Sequence, residues 1–282
     1  MSDVWPRTIE RTSDGALVVG GCDVRELAEQ YGTPLYVVDE REFRDSARTF
    51  RDEFSRTFAR YDAGVDVFYA GKAFLSSKVA AWVHEDGLSL DVASGGELEI
   101  ALRGGIPAER VALHGNNKSD AELRRALEVG VGRIIVDSFT EIGELAQIAQ
   151  AMGVVAPVMV RVTTGVHAGG HEYIATAHED QKFGLSLASG AALSALRACH
   201  ESPHLNLLGI HTHIGSQILS LDAFEASAQR MLRLRADFTA ETDARLPEVD
   251  LGGGYAIAYT EGAEALDVRD AAVAIADAVA GV

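Results

Sequence analysis

The chain reads as an α/β protein of parallel strands, a (β/α)8 TIM-type barrel preceded by a smaller piece. Three observations predict this. Short apolar runs alternate with helical patterns almost without interruption from Asp66 onward, and repeated strand–helix units imply a parallel sheet with helices outside it. Several helices open on a capping signature. The residues able to carry chemistry fall just after the strands, on the side where barrel active sites assemble.

Strands are expected near Asp66–Ala70, Leu88–Val92, Arg110–His114, Arg133–Asp137, Pro157–Val162, Leu207–Thr212 and Val249–Gly252. Such short runs suit strands buried on both faces. Ser119 with Glu122, and Ser138 with Glu141, have the spacing of a capping box, in which two side chains satisfy free amides of the first helical turn. Asp39 with Glu42 starts the helix before the first strand in a similar way. That helix lines up Phe43, Ala47, Phe50, Phe54 and Phe58 on one face, a spacing that predicts packing on the sheet. The last helix is expected around Asp267 to Ala280, which makes seven βα units where a closed barrel has eight. The barrel is thus expected to be truncated after its seventh unit. Residues 1–38 break the rhythm. Their strand-like pieces, Ala16–Val19 and Leu35–Val38, assign them to a second, incomplete β-domain, with 39–282 as the barrel domain.

Composition narrows the function. Lys+Arg 25 against Asp+Glu 42 gives a net charge of −17, which argues against binding nucleic acid or anionic membranes and for a small-molecule substrate. Only Cys22 and Cys199 are present, so no disulfide framework or cysteine-rich metal site is expected. Met1 to Glu10 has no apolar leader character and no stretch approaches about 18 apolar residues. A cytoplasmic location is expected.

Four strand exits carry candidate chemistry. Lys72 ends the first, in Val67-Phe68-Tyr69-Ala70-Gly71-Lys72-Ala73. An amine held against an apolar core is a nucleophile of the kind that forms Schiff bases; the plain alternative is an ammonium emerging into water. Asp91 lies in Leu90-Asp91-Val92-Ala93-Ser94-Gly95-Gly96-Glu97 at the second exit, near Lys72 if the two strands are neighbours. Ser94 with Glu97 reads as a helix cap. After the sixth strand comes His211-Thr212-His213-Ile214-Gly215-Ser216-Gln217. Histidines two apart on a strand share a face, and metal, phosphate-site and structural readings all stand for them. Gly252, Gly253 and Gly254 follow the seventh strand in Asp250-Leu251-Gly252-Gly253-Gly254-Tyr255, where barrels frequently bind phosphate. The loop from Thr163 to Ser186, with His167, His171 and His178, is long enough to suggest function. A Schiff-base lysine facing a phosphate cradle is what a pyridoxal-phosphate site requires.

In order along the chain stand Y-A-G-K-A, L-D-V-A-S-G-G-E-L, H-G-N-N-K-S, H-E-D-Q-K-F-G, H-T-H-I-G-S-Q-I and D-L-G-G-G-Y. With these motifs the chain resembles the barrel-type (fold-type III) pyridoxal-phosphate-dependent amino-acid decarboxylases. The third and fourth motifs lean towards the diaminopimelate branch rather than the ornithine or arginine ones. The resemblance implies pyridoxal 5'-phosphate as cofactor and no metal. Lys72 would hold the cofactor as a Schiff base with Asp91 close by, His213 would stack on its ring, and Ser216 with Gly252, Gly253 and Gly254 would bind its phosphate. The implied reaction takes meso-2,6-diaminopimelate to L-lysine and CO2, the last step of lysine biosynthesis, in a head-to-tail homodimer.

Gly71 departs from the alanine common in relatives and is expected to be tolerated. The larger departure concerns an eighth strand with Glu-Pro-Gly-Arg and a β-domain with a Cys-Glu-Ser segment, which the family carries and which do not occur before Val282. The alternative expectation is therefore a catalytically incomplete fragment that binds the cofactor or pairs with a full-length subunit. A metal-dependent barrel hydrolase using His211 and His213 is a further alternative.

Overall fold

The structure, a computed structural model, describes residues 4–166 and 183–281. It begins with a small antiparallel meander, β1 (Glu10–Arg11), β2 (Leu17–Val19) and β3 (Cys22–Asp23), then α1 (Val24–Tyr31) and α2 (Glu40–Phe58). Alternation follows: β4 (Phe68–Ala70), α3 (Ser77–Glu85), β5 (Ser89–Val92), α4 (Gly95–Arg103), β6 (Val111–Leu113), α5 (Asp120–Val129), β7 (Arg133–Val136), α6 (Phe139–Met152) and β8 (Ala156–Thr163). The chain is then described through β9 (Leu185–Ser186), α7 (Ala191–Glu201), β10 (Leu205–His211), α8 (Leu221–Thr242), β11 (Glu248–Asp250) and α9 (Val268–Ala280).

Seven parallel strands run in the order β4-β5-β6-β7-β8-β10-β11, with β9 added to the end of β8. All seven expected strands are found. Among the described residues β4 and β11 pair with each other nowhere, so the sheet is a curled, open barrel. Serines cap the helices as their spacing requires: Ser76, Ser94, Ser138 and Ser220 each accept from an amide of the first turn, and Ser119 with Glu122 closes a full capping box. Each cap contributes about 1 kcal/mol. Between sheet and helices lies the main core, with Leu90, Leu98, Leu113, Leu123, Ile134, Leu145, Leu196 and Ile210 almost fully buried.

The phenylalanine stripe of α2 divides its work. Phe43 and Ala47 pack on the main core, Phe43 touching Tyr69 at 5.2 Å and Trp82 at 5.8 Å between ring centres. Phe50, Phe54 and Phe58 join a second cluster with Ile218, Phe224, Ala272 and Ile275. The expectation of packing on the sheet thus holds for only part of the stripe. The rest packs on the side of α9, where Tyr61 Oη also donates to Asp277. Helices therefore close the ring where the strands do not. At the other end of the strands, Arg133 at the start of β7 donates to Glu248 at the start of β11 and stands 3.8 Å from Asp66 ahead of β4.

The N-terminal region differs from expectation. Leu35–Val38 forms no strand, and Tyr36 is 97% exposed. An apolar run becomes a strand only with a partner for its amides and carbonyls, and among the described residues none lies alongside. Helix α1 lies between the two strand-like pieces, and Asp23 caps it by accepting from the Arg25 amide.

Candidate active site

The strand exits converge at one end of the open barrel. Parallel pairing of β4 with β5 sets Ala70 in register with Asp91. Just beyond, the Gly71 amide donates to the Asp91 carbonyl at 2.9 Å. A Cβ on Gly71 would lie 2.8 Å from that oxygen, so glycine suits this close approach. Lys72 comes next and is exposed. The expected packing of Lys72 against the apolar core is not what the structure has: the strand ends two residues earlier, and the residue is left exposed.

Asp91 is half-buried on β5, its Oδ1 3.2 Å from His114 Nε2. The two atoms are not aligned as a hydrogen bond; both are buried without a hydrogen-bond partner among the described residues. His114 follows β6 directly and turns its ring edge-on to His211, 4.9 Å between centres at 76°. His211 is the last residue of β10, in register with Asp250 on β11. Complete burial holds the His211 imidazole well below its ordinary range, and its Nδ1 also lacks a partner. Asp250 Oδ1 accepts from the Gly252 amide at 2.7 Å. Burial, reinforced by the charge of Asp91, pushes the Asp250 carboxyl up to about 6.

His213 is half-buried two residues past the end of β10. Burial first, then the Lys72 charge, lowers it to about 4. Of the two histidines of the H-x-H run, His211 clusters with His114 and Asp250, while His213 neighbours Lys72 at the mouth.

The two loops expected to bind phosphate are locked together. Ile218 N donates to Gly254 O at 2.9 Å, Ala256 N donates to Ile218 O at 3.1 Å, and the Gln217 side chain bonds the Ile257 backbone twice. Gly254 (φ +104) lies so near the other loop that a Cβ would fall 2.0 Å from Gly215 O. At Gly252 (φ +69) it would fall 2.4 Å from Thr212 O. Gly253 differs, because a Cβ there would meet nothing within 4 Å. Two of the three glycines thus serve loop packing, and the middle one faces open space. Ser216 is exposed, and the amides of Ser216, Gly253 and Gly254 donate to no described group.

A neighbouring buried network joins residues that are distant in sequence. Lys118 Nζ, on a side chain 2% exposed, donates to Gly115 O, Ile135 O and Glu141. Asp137 Oδ1 accepts from the Gly184 amide at 2.7 Å and stands 3.8 Å from Arg161 Nε. Arg161 lays its guanidinium over the Phe183 ring at 4.6 Å. Burial outweighs attraction at that separation: it pushes Asp137 up and Arg161 down. Lys118 and its partner Gly115 both lie in H-G-N-N-K-S, whereas Ile135 on β7 and Glu141 on α6 lie outside that motif. His167, His171 and His178 lie outside the described residues.

No helix among the described residues is long and apolar enough to cross a membrane. Comparison with known proteins gives one consistent result. Residues 42–282 match the family model for the pyridoxal binding domain of pyridoxal-dependent decarboxylases. The diaminopimelate decarboxylase of Mycobacterium tuberculosis is 50% identical over 261 residues, covering 91% of this chain and 57% of the relative. That of Bacillus subtilis is 42% identical over 96% of this chain and 61% of the relative. The chain spans about three-fifths of the length of these relatives. Among solved structures, a diaminopimelate decarboxylase from M. jannaschii superposes with a TM-score of 0.86 at 30% identity, covering 97% of this chain and 62% of that one. One from Helicobacter pylori, complexed with L-lysine, gives 0.80 at 28%, covering 92% and 63%. The match to residues 42–282 and the superposition of the open barrel give the same answer: the chain belongs to the pyridoxal-dependent decarboxylases, as their pyridoxal binding domain.

Proposed function

We propose that this chain carries the cofactor-binding part of a diaminopimelate decarboxylase, which converts meso-2,6-diaminopimelate to L-lysine and CO2. The observation that carries the reading is the meeting, at one end of one sheet, of an exposed amine after β4 and a glycine loop with unengaged amides after β11.

The residues present suit pyridoxal phosphate. Lys72 supplies an accessible primary amine for an aldehyde carbon. Amides of Ser216, Gly253 and Gly254, with the Ser216 hydroxyl, suit a phosphate, and the loop contacts of Gly252 keep them in place. His213, uncharged well above pH 4, offers a planar face beside Lys72. Asp91 places a carboxylate at the neighbouring exit. When bound, the cofactor supplies an electron sink for the pair released as the Cα–carboxylate bond breaks. CO2 leaves, and one proton takes its place on carbon.

A second reading, in which the chain binds the cofactor without turning substrate over, is favoured by the lack of pairing between β4 and β11 among the described residues. One experiment separates the two. Purified chain is given pyridoxal phosphate, and protein-bound visible absorbance and CO2 release from meso-diaminopimelate are followed. Absorbance lost in Lys72→Ala, with CO2 released, supports the first reading; absorbance without CO2 supports the second. Absorbance that survives Lys72→Ala would remove the lysine from its assigned role. The same reading places the protein in the cytoplasm as a head-to-tail homodimer, with residues 1–38 in a second β-module.

A further inference from the structure

Beneath the mouth, three strand ends bring a different set of donors together. His114 follows β6, His211 ends β10 and Asp250 ends β11, and one donor atom from each lies within 4.8 Å of the others. We propose that His114, His211 and Asp250 form a binding site for a divalent transition-metal ion of the zinc or cobalt class, separate from the amine and the glycine loop above it.

The geometry is close to what such an ion needs. Nitrogen and oxygen ligands about 2.1 Å from a tetrahedral ion sit roughly 3.4 Å apart. The donors here reach that spacing through adjustments of about an ångström, within the range of small side-chain rotations. Three protein ligands leave one position open, and two imidazoles with a carboxylate select zinc, cobalt or nickel over magnesium or calcium.

The second observation is the state of the donors. His211 is 4% exposed with Nδ1 unpartnered, and His114 Nε2 and Asp91 Oδ1 are also buried without a hydrogen-bond partner among the described residues. Buried polar atoms left in that state are destabilising until something binds them. One cation engages both imidazoles and places a positive charge beside two carboxylates, with Asp91 3.2 Å from His114 as a further oxygen donor or an outer partner. The Asp250 oxygen that already accepts from Gly252 anchors that ligand from behind. Ordered water is the competing occupant of such a polar space.

The test is titration of the purified chain with Co2+ alone, read by the visible absorption of the bound ion and by displacement with Zn2+. One ion per chain is expected. His114→Ala and Asp250→Asn, each checked for native circular dichroism, should weaken binding more than about tenfold, the loss that even an outer partner of a metal ligand brings. His84→Ala, at an exposed surface position, should leave affinity unchanged. Because a variant can fail to fold, X-ray absorption of the zinc-loaded native chain provides a second measurement, with two imidazoles expected in the shell. Absence of a cobalt band, affinity unchanged in His114→Ala, or a shell without imidazole each overturns the proposal and leaves the space to water.

Discussion

Arg133 and Glu248 are 115 residues apart in sequence, yet Arg133 Nε lies 2.5 Å from Glu248 Oε2 and Nη2 lies 2.9 Å from Oε1. This fork joins the fourth parallel strand to the seventh across the interior, and the same guanidinium stacks over Phe68 of the first at 5.2 Å. It is largely shielded from water, with the Arg133 side chain 16% exposed.

Arg133→Ala should therefore destabilise the chain by about 1–3 kcal/mol, because Glu248 is left half-buried without its partner. A double-mutant cycle with Glu248→Gln isolates the pair. Urea midpoints that give a coupling below about 0.5 kcal/mol would reduce the fork to a packing contact.

The glycine loop separates folding from binding. Gly254→Ala forces a Cβ onto Gly215 O at a positive φ, and a loss of stability of at least about 2 kcal/mol is expected. Gly253→Ala should leave the thermal midpoint nearly unchanged while weakening pyridoxal phosphate binding, since its side chain enters only the open space before the unengaged amides. Paired melting and cofactor titrations check both; a normal cofactor affinity in Gly253→Ala would move the phosphate elsewhere.

Lys118→Met leaves Glu141 buried and unpaired, a change that costs about 3–5 kcal/mol. Adding Glu141→Gln removes the orphaned charge while keeping a side-chain oxygen near the Asp137 amide that Glu141 caps. The double variant should be more stable than Lys118→Met alone. Denaturant unfolding of the three proteins decides.

Acid stability should show two opposed contributions. The folded chain holds His213 near 4 and His211 low, so between about pH 6.5 and 4 the unfolded chain binds more protons and stability falls on acidification. Asp250 works the other way. Its folded carboxyl is raised to about 6, so the folded chain takes up its proton first and gains stability as pH falls from about 6 towards 4. Asp250→Asn removes that gain. Unfolding midpoints measured across this range should decline more steeply with acid in the variant than in the native chain, and a shallower decline would contradict the assignment.

Much of the architecture was legible because it is written locally. The strand Arg133–Val136 carries a contiguous apolar run from Ile134 to Val136, and a cap such as Ser119 with Glu122 spans a single helical turn. Motifs at strand exits placed Lys72, His213 and the glycines at one end for the same reason. Relationships set by closure of the sheet were not legible. His114 and His211 meet only because β6 and β10 curl towards each other, and nothing in either flanking sequence records it. Leu35–Val38 shows the converse, a run with strand character and no strand, because character is local and pairing is not.

Strands β4 and β11, which do not pair with each other among the described residues, lead into the two segments assigned to the cofactor, Lys72 after one and Gly252 to Gly254 after the other. A molecule gripped by both would tie the two strand exits together. Amide exchange in β4 and β11 should slow on its arrival, while β6, β7 and β8, already bonded on both sides, change little. Occupancy would then be recorded in the mechanics of the sheet, with the ligand serving as a cross-link as well as a reagent.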